Sequence, residues 1–591
     1  MSPFIRIQIS LKMTTPPSLN DQQVQQWLFI DGFRFDQPSH LSWHLENGSS
    51  REPVERLINY WLFFHQQILI EAGIPYFKPA EIGRIQQVAD HRYQVTLVLS
   101  PVAEFQPLVV NSLSTCLPFL YDMNNTPFDW DTYATLSLKV QRELYLPLRK
   151  ASNSGLSNIP ILRYAYDHGI PFMYFGAGLY QLGWGANSHL LHKSSTEQDS
   201  AIGATLSGYK HFSANRLRSM GLPAAHNRLA DTLEKARAVA NEIGYPVVIK
   251  PEQGNRGEGV VKDIDNDDQL HQAWRAATAY SPLVLVEKQV KGTCYRLFVY
   301  DDEVMYVKGN LPRLLTGDGQ STIAELIAAD AAWQKKRRPW QRDPEIPLDE
   351  ETLSCLSDQG VSLTTILLDH QSLYVRKIAS MLWGVANAPA ITHVHPENLR
   401  LAVDAAKAMN LCTAGVDVII EDMALPWYEQ ECIINEVNSS PMIGVSDASL
   451  DCVPRLMGKM LNHDGRIPVS VYVGQQQAMK AARKAQQQDI ASGQKCFLTS
   501  DSVTYDGENN LKAMTFSSLY ERCLALIMNQ EVESLILVVH TNEPITKGLP
   551  VDRIHQLVRT EEALLHCEGK ALDQQGNDAV LSFLEKYLQN I

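Results

Sequence analysis

The stretch YPVVIKPEQGNRGEGVV, from Tyr245 to Val261, places a glycine-rich loop directly after a β-branched run that ends in Lys250. A Rossmann fingerprint or a Walker loop requires a helix immediately after its glycines. Here the chain resumes as the strand-like run VVKDI. The pattern therefore predicts a hairpin whose backbone N–H groups cover phosphate oxygens while Lys250 supplies positive charge. A long flexible hairpin without a ligand fits this stretch alone equally well.

The composition restricts the class of protein around this loop. A chain of 591 residues, 45% hydrophobic and 20% charged, is long enough for roughly three or four folded units. Its net charge of −14 disfavours a general nucleic-acid binder or a protein held on anionic membranes, because both need a basic surface. The sequence has neither an apolar run of bilayer length nor a signal-peptide pattern, so we expect a cytoplasmic protein.

The nine cysteines are scattered singly, without a CxxC pair or a nearby histidine at metal-ligand spacing. This usage predicts reduced thiols, not disulfides or a structural zinc site. Helical and strand-like stretches alternate from Trp27 to about Asn158, and an α/β pattern begins at Ile159. Before the glycine loop, DTLEKARAVANEIG predicts a helix capped by Asp231, with Glu234 completing a capping box and Gly244 at its end.

Further along the chain, AGVDVII and CIINEVN read as two strands joined by a polar loop. By the period-2 rule, Val416, Val418 and Ile420 share the face opposite Asp417 and Ile419. The same rule places Ile434, Glu436 and Asn438 together, opposite Ile433, Asn435 and Val437. A hairpin would bring Asp417 and Glu436 together, and two carboxylates on an apolar strand pair need a cation such as Mg²⁺ between them. The alternative is an edge hairpin whose polar face meets water.

Taken together and in order, these elements resemble the ATP-grasp ligases, and in particular the ATP-grasp part of cyanophycin synthetases. The resemblance runs from about residue 160 to 445 and rests on these stretches: QLGWGAN, GYKHF, YPVVIKPEQGNRGEGV, LVEKQVKG, LTGDGQSTIAELI, YVR, HVHPENLRLA and INEVNSSP. It implies an α/β (α+β) chain of three domains. These are an N-terminal mixed α/β domain over 1–160, an ATP-grasp ligase domain over 161–465, and a truncated Mur-ligase-like α/β domain over 466–591.

The resemblance also assigns roles to individual residues. Two arginines would be catalytic and neutralise the transferred phosphoryl group and an acyl phosphate: Arg296 and Arg376. ATP would be held by Lys210, Lys250, Gly254, Asn255, Gly257, Gly259 and Glu287, and by the backbone from Lys288 to Val290. The Mg²⁺ ligands would be Asp417, Glu436 and Asn438.

This set implies an ATP-dependent carboxylate–amine ligase that uses Mg²⁺ and acts on amino acids or short peptides. A carboxylate attacks the γ-phosphate of ATP, and an amine then displaces phosphate from the acyl phosphate to form an amide. Positioning and charge neutralisation carry such a reaction. By resemblance we also expect a homo-oligomer, a dimer or a tetramer, without nucleic-acid or membrane partners.

Three departures from the family pattern affect this expectation. The Mur-like phosphate loop GTNGKTT is replaced by Gly474 followed by QQQAM, which lacks the lysine and the magnesium-binding hydroxyl, so residues from about 466 onward are predicted to be catalytically silent. Cys294 occupies the position of an acidic ribose-binding residue. In the 379–385 loop, ASMLWGV replaces ANLSTGG and puts Ser380, Leu382 and Trp383 near the substrates.

Two alternatives stay open at this point. The chain is either a ligase or a non-catalytic relative that binds a peptide, a polymer or a sister synthetase. Within the enzyme class, a dipeptide ligase similar to glutathione synthetase or D-Ala-D-Ala ligase shares the same ATP chemistry. Loss of the second catalytic unit disfavours synthesis of complete cyanophycin, which needs two alternating amide-forming steps.

Overall fold

The computed structural model describes residues 7–14, 19–28, 53–99, 105–152, 156–253, 257–380, 384, 390–444, 446–560, 563–566 and 569–588. Helices and strands alternate throughout these ranges, which confirms the mixed α/β class. Within them, every helix is too short or too polar to cross a membrane.

The amino-terminal part packs helices beside a small antiparallel sheet. Its elements are β1 (Ile7–Thr14), α1 (Asp21–Leu28), α2 (Pro53–Glu71), β2 (Glu81–Ala89), β3 (Arg92–Leu99), α3 (Gln106–Asn125), α4 (Trp130–Val140) and α5 (Leu146–Ser152). The strand order is β1-β3-β2. Trp61 and Ile68 of α2 are fully buried in the core that joins these elements. The helical and strand-like stretches predicted for this region are confirmed, with a π-helical segment between α4 and α5.

The second part begins with a helix and a four-stranded antiparallel sheet in chain order. Its elements are α6 (Asn158–Asp167), β4 (Phe172–Gly176), β5 (Leu179–Leu182), β6 (His189–His192), β7 (Ser195–Thr196), α7 (Ala201–Ser207) and α8 (Lys210–Ser219). Helices α7 and α8 are separate, because the chain leaves the helical path at Tyr209. Lys210 is therefore the first residue of α8.

The glycine-rich hairpin belongs to a separate four-stranded sheet. Its elements are β8 (Asn227–Ala230), α9 (Leu233–Ile243), β9 (Val247–Pro251), β10 (Val261–Ile264), α10 (Asp267–Thr278) and β11 (Val284–Lys288), with the strand order β10-β9-β11-β8. Val261 pairs with Ile249, which confirms a hairpin in place of a phosphate-loop helix. The predicted cap is wrong: Thr232 accepts from the N–H of Lys235 at 3.2 Å, while Asp231 forms an ion pair with the Lys235 ammonium. Gly244 does end α9.

A third sheet carries the two acidic strands. The elements of this part are β12 (Thr293–Tyr300), β13 (Glu303–Gly309), β14 (Leu314–Thr316), α11 (Ile323–Lys336), α12 (Glu350–Asp358), β15 (Ser372–Tyr374), α13 (Pro396–Ala408), β16 (Thr413–Ile420) and β17 (Cys432–Ser439). The antiparallel sheet has the order β13-β12-β16-β17. One face packs on α13, whose Leu401 and Ala405 meet Val416 and Val418. Segments β14 and β15 form their own two-stranded sheet.

The segment after α11 binds back to the amino-terminal part. The buried carboxylate of Glu71, at the end of α2, accepts from Arg338 at 2.8 Å and from the Trp340 indole at 2.6 Å. The Trp340 ring also stacks on Tyr145, with centroids 4.5 Å apart. Because a buried carboxylate needs these partners, the contact fixes the amino-terminal helices against the part of the chain that carries α12 and β15.

The last part is a doubly wound unit. Its elements are α14 (Asp447–Asp451), α15 (Val453–Met460), β18 (Val469–Val473), α16 (Gln476–Ala491), β19 (Cys496–Thr499), β20 (Thr504–Tyr505), α17 (Leu519–Ile527), β21 (Ser534–Val539), α18 (Glu543–Lys547), β22 (Gln556–Arg559) and α19 (Gln574–Leu588). The strand order is β20-β19-β21-β18-β22, and all neighbouring pairs except β19 with β20 are parallel. Helices α14 and α15 instead join the core of the second part.

This last unit is joined tightly to the turn after β5. Trp184 is 2% exposed and lies in the core of the last unit. The N–H of Ala186 donates to the Val532 carbonyl at 2.8 Å, and the Gln181 side chain donates to the Ile527 carbonyl at 2.9 Å. Gly185, at φ 55°, leaves no room for a side chain, because a Cβ there would lie 2.4 Å from the Val532 oxygen. The predicted domain limits at 160 and 465 stay predictions, and α6 crosses the first of them.

Replacing Gly185 with alanine should loosen this junction. We expect Gly185→Ala to cost about 1–2 kcal/mol of backbone strain and about 1–3 kcal/mol of overpacking, and to lower the apparent melting temperature. Gly169→Ala is the matched control, since Gly169 has φ 65° and open space around its Cβ position. The Gly169→Ala variant should be destabilised by backbone strain alone, without the overpacking term. Equal melting temperatures for the two variants would contradict the tight junction.

Candidate active site

A lysine of the glycine-rich sheet and a lysine at the start of α8 lie beside the acidic strands of the third sheet. The Lys250 ammonium, on β9, lies 2.7 Å from the Glu287 carboxylate on β11 and donates to the Asn435 amide oxygen on β17 at 3.4 Å. Lys210, the first residue of α8, is close enough to Glu436 and Lys250 for their charges to influence its pKa, which burial lowers. The structure therefore brings together both predicted phosphate lysines and the predicted metal strand.

Four charged side chains cross the third sheet in one row. Strand register places Lys308 opposite Arg296, Arg296 opposite Asp417, and Asp417 opposite Glu436. Residues directly opposite in antiparallel strands share a face, and here it is the face turned away from the α13 core. The Arg296 guanidinium grips Asp417 with two hydrogen bonds, one through Nε and one through Nη2 at 2.8 Å. Asn438 donates to Glu436 at 2.9 Å.

A β-bulge changes the predicted faces of β17. Asp417 pairs with Glu436 but Val418 pairs with Ile434, so Asn435 is an extra residue in the strand. Ile434 and Val437 consequently both point into the α13 core, which corrects the expectation that Ile434 shares a face with Glu436 and Asn438. The predicted faces of β16 are confirmed. The bulge also aims Asn435 at Lys250, a contact that strict alternation does not predict.

The Asp417–Glu436 pair has an electrostatic asymmetry. Burial raises the pKa of Asp417 to about 6, helped by the charge of Glu436, although Arg296 opposes the shift. Burial also acts to raise the pKa of Glu436, but hydrogen bonds with Asn438 and Asp417 and the charges of Arg296 and Lys210 bring it below its ordinary value. Two carboxylates this close do not ionise equally, so Asp417 holds a proton more readily than Glu436.

These residues fit a magnesium ion. Arg296 neutralises Asp417 but not Glu436 by hydrogen bonds, and two carboxylates beside an amide are ligand types that Mg²⁺ accepts in proteins. The Asn438 amide donates its NH2 to Glu436, so it would turn over to offer its oxygen to the ion. Among the described residues there is no group of three His, Cys, Asp or Glu side chains placed for a metal. The set at Asp417, Glu436 and Asn438 therefore suits an ion that takes its other ligands from water and phosphate oxygens.

A chain of polar contacts supports the lysine side of the cleft. Asn227, 2% exposed, donates to Glu287 at 3.1 Å, and its amide oxygen lies 2.7 Å from Nδ1 of His211. The backbone N–H of His211 donates in turn to the buried Glu252 carboxylate. Burial raises the pKa of Glu252, partly offset by His211 and the lysines. This network fixes the start of α8, and with it Lys210, relative to β9 and β11.

The other predicted nucleotide residues lie in the glycine-rich turn and at the end of β11. Gly254 and Asn255 are outside the described residues, whereas Gly257 and Gly259 have φ of 77° and 66°. A Cβ on Gly259 would come within 2.8 Å of Tyr280, so the turn requires glycine. In the predicted adenine segment the backbone N–H of Lys288 donates to the His226 carbonyl, and the Glu287 carboxylate already binds Lys250 and Asn227. Val290 follows the end of β11.

Arg376 is paired with acidic residues of α12 and its cap. Its guanidinium is 2% exposed overall, binds Asp349 at 2.5 Å and the Thr352 hydroxyl at 3.0 Å, and also contacts Glu351. The Arg376 guanidinium is therefore bound to α12 and its cap, and its predicted catalytic role stays a prediction. The loop that follows approaches the nucleotide side, since the Ser380 Cβ lies 3.5 Å from the Cβ position of Gly257. Leu382 and Trp383 are outside the described residues.

Cys294 lies on β12 two residues before Arg296 and so shares its face. Burial raises the pKa of this thiol well above its usual range, and the nearby Asp417 carboxylate acts in the same direction. The thiol is therefore protonated and is neither a nucleophile nor a charged ligand. The cysteines among the described residues are free, in agreement with the prediction.

Sequence reasoning missed several residues of the site. The role of Asn435 was missed because a period-2 count does not detect a bulge. Its position beside Glu436 in NEVN was the one signal in the sequence. Asn227 and Glu252 lie outside the glycine-rich motif, and their burial is a tertiary effect. Lys308 sits in an ordinary strand pattern, and only strand register shows that it neighbours Arg296.

Comparison with known proteins agrees with this geometry. Residues 210–296 match the family described as Carbamoyl-phosphate synthase L chain, ATP binding domain. The chain is 30% identical over 346 residues to cyanophycin synthetase of Geminocystis herdmanii, which covers 55% of this chain and 39% of that protein. It is 26% identical over 270 residues to the glutathione biosynthesis bifunctional protein GshAB of Desulfotalea psychrophila, covering 44% of this chain and 34% of that protein.

A crystal structure of a bifunctional glutathione synthetase from Pasteurella multocida aligns with a TM-score of 0.38 and 22% identity, over 60% of this chain and 52% of that chain. The matched ATP-binding region and the two facing sheets together resemble an ATP-grasp unit. This unit is similar in sequence to that of cyanophycin synthetases, which confirms the predicted resemblance. The chain spans less than two fifths of the length of the G. herdmanii relative, 39% of it.

Breaking the buried pair between Lys250 and Glu287 should destabilise the protein. Lys250→Met leaves a buried carboxylate without its ion-pair partner, and we expect a loss of about 3–5 kcal/mol in the free energy of unfolding. The double variant Lys250→Met with Glu287→Gln removes both charges and should recover most of this loss. Chemical denaturation monitored by tryptophan fluorescence measures both.

Lys235→Met is the matched control, because Lys235 forms an exposed pair with Asp231 and should show no measurable change. A double variant as unstable as Lys250→Met alone would contradict the importance of the charge pair.

Proposed function

We propose that the chain is an ATP-dependent carboxylate–amine ligase that forms an amide bond through an acyl phosphate, with amino acids or short peptides as substrates. One observation carries this proposal. Lys250 of one sheet, Lys210 at the start of α8 and the Asp417–Glu436 pair of the third sheet converge on a single site. Similarity to cyanophycin synthetases and to GshAB supports it over part of the chain.

The lysine side of the cleft serves to hold and orient the nucleotide phosphates. An ammonium group has three N–H donors. Lys250 uses two of them, one on Glu287 and one on Asn435, which leaves one for a phosphate oxygen. Lys210, placed by the His211–Glu252 contact, adds a second positive charge. The turn at Gly257 and Gly259 brings backbone N–H groups over the same position.

The acidic side of the cleft serves the transferred phosphoryl group. Asp417, Glu436 and Asn438 would hold Mg²⁺, which neutralises phosphate charge when it is bound. Arg296 spends two of its five N–H donors on Asp417, and the remaining ones are available to the substrate carboxylate and the acyl phosphate. Attack on the γ-phosphorus releases ADP, and attack of the amine on the acyl carbon then releases phosphate. In this proposal Arg376 positions the loop after β15 and contacts no substrate.

The last unit is proposed to be a structural support without nucleotide chemistry. At the end of β18, where doubly wound folds bind ligands, Thr560 packs so closely on Gly474 that its hydroxyl would lie 1.8 Å from a Cβ. The Gln475 amide donates to the His540 carbonyl at 2.7 Å, and the His540 ring lies 2.7 Å from the Gly474 oxygen. We retain the three-part division at 160 and 465 as a proposal, together with a cytoplasmic homo-oligomer whose subunit number sedimentation velocity measures.

A second candidate function is binding without catalysis. The pairing of Arg376 with Asp349 and Glu351 favours it, since a predicted catalytic charge is already neutralised. So does the protonated Cys294 thiol in place of a ribose-binding acid. Under this alternative, ATP or a peptide binds and no ADP is formed.

Loss of the Glu436 charge should separate the two candidates. With Mg²⁺, ATP, a panel of amino acids and dipeptides, and an amine, the wild-type protein should release ADP. Glu436→Gln should slow this release by about 10²-fold or more, because it removes charge stabilisation at the transferred group. Chelation of Mg²⁺ should abolish it. Glu431→Gln, an exposed neighbour just before β17, is the control and should retain full activity. ADP release that survives Glu436→Gln, or its absence with every pair, counts against the ligase.

The filled ligand position of the last unit predicts a stoichiometry. Calorimetric titration with a non-hydrolysable ATP analogue and Mg²⁺ should give one nucleotide per chain. The double variant Lys250→Met with Glu287→Gln should remove this binding, while Gln475→Ala should leave it unchanged. Two nucleotides per chain in the wild-type protein would contradict a silent last unit.

A further inference from the structure

Lys308 continues the charged row by one strand beyond Arg296. It lies on β13, directly opposite Arg296 in the register of β12 and β13. Its neighbour Val307 points into the α13 core, so the Lys308 side chain is on the face that carries Arg296 and Asp417. The outer side of β13 is covered, because Lys308 forms a bridge with Ala390 and Ile391 donates to the Val307 carbonyl at 2.7 Å. Lys308 therefore borders the cleft and not the solvent edge of the sheet.

The surroundings of Lys308 compensate its charge only in part. The side chain is half-buried, and within the described ranges no carboxylate lies within ion-pairing distance of its ammonium. The carboxylate nearest in the row, Asp417, is held by both hydrogen bonds from Arg296. Burial lowers the pKa of Lys308, the like charge of Arg296 adds to this shift, and the more distant charge of Asp417 opposes it. Two adjacent, partly desolvated cations form a place for an anion to bind.

The spacing of the strands indicates which group of the substrate an anion bound at Lys308 would be. Neighbouring strands lie about 4.8 Å apart, so Lys308 is roughly 10 Å from the strand of Asp417 and about 5 Å from that of Arg296. The carboxylate that is phosphorylated must reach the nucleotide at the Asp417–Glu436 end of the row. Arg296 is within reach of that group and Lys308 is one strand too far. An anion at Lys308 therefore belongs to another part of the same substrate.

We propose that Lys308 binds a second, non-reacting carboxylate of the acid substrate and so selects acids with two carboxylates separated by a few bonds. This specificity role rests on the proposed ligase function. It assigns Lys308 to substrate choice and leaves nucleotide binding to Lys210 and Lys250. Similar spacing between carboxylates occurs in glutamate, aspartate and succinate, whose monoamides keep the size and lose the second charge.

The test compares each diacid with its monoamide. The probes are L-glutamate with L-glutamine, L-aspartate with L-asparagine, and succinate with succinamate, with hydroxylamine as the amine so that acyl phosphate is trapped as hydroxamate. In the wild-type protein, kcat/KM for at least one diacid should exceed that for its monoamide by tenfold or more. Lys308→Met should bring this ratio close to one, mainly through KM of the diacid. Lys308→Arg should keep most of the preference.

Two controls keep the outcome clear. KM for ATP should stay within twofold in Lys308→Met, and Lys407→Met, at an exposed lysine of α13, should change no ratio. If Lys308→Met does not fold, as judged by its melting temperature, Lys308→Gln replaces it. An unchanged ratio in the folded variant, or a wild-type protein that does not prefer diacids, overturns the role of Lys308 while the ligase stands. Failure of the wild-type protein to form ADP with any acid overturns both.

Discussion

The opposition of Asp417 and Glu436 on neighbouring strands is the constraint on which the site depends. Two carboxylates held face to face beside an apolar core repel each other and lose hydration. The fold compensates with two cations and one neutral donor, since Arg296 binds from the next strand, Lys210 approaches from the start of α8, and the Asn438 amide donates from the same strand. The row of charged side chains contributes little to the stability of the sheet, because burying charges is costly. Such an arrangement is typical of a functional site, here one that binds a metal ion together with phosphate.

One buried lysine connects the glycine-rich sheet to the sheet that carries Asp417 and Glu436. Lys250 reaches from the glycine-rich hairpin to the bulged strand, and its partners Glu287 and Asn435 belong to different sheets. Behind it, Asn227 and His211 connect the same network to the first turn of α8. A polar network that is satisfied in this way is rigid, because each displaced group would lose a partner inside the protein. The side chains on the lysine side of the site are therefore held in defined positions relative to β17.

Much of this could be predicted from the sequence, and the failures have physical causes. The hairpin followed from β-branched residues on both sides of the glycines, and the pairing of Asp417 with Glu436 followed from alternation. Alternation failed at Asn435, because a bulge adds a residue without changing composition. The predicted helix cap was wrong because Asp231 forms an ion pair with Lys235, and Thr232 caps the helix in its place. The contacts of Arg376 and the register of Lys308 depend on segments distant in the chain, which local patterns do not encode.

The crowded end of β18 limits what could be rebuilt in the last unit. Thr560, His540 and Gln475 occupy the volume and the hydrogen bonds that a bound anion would need. A lysine introduced into the helix that follows would add charge next to a position that is already full. Building a nucleotide pocket there would thus require coordinated replacements on three separate loops, because packing closes the position to single substitutions.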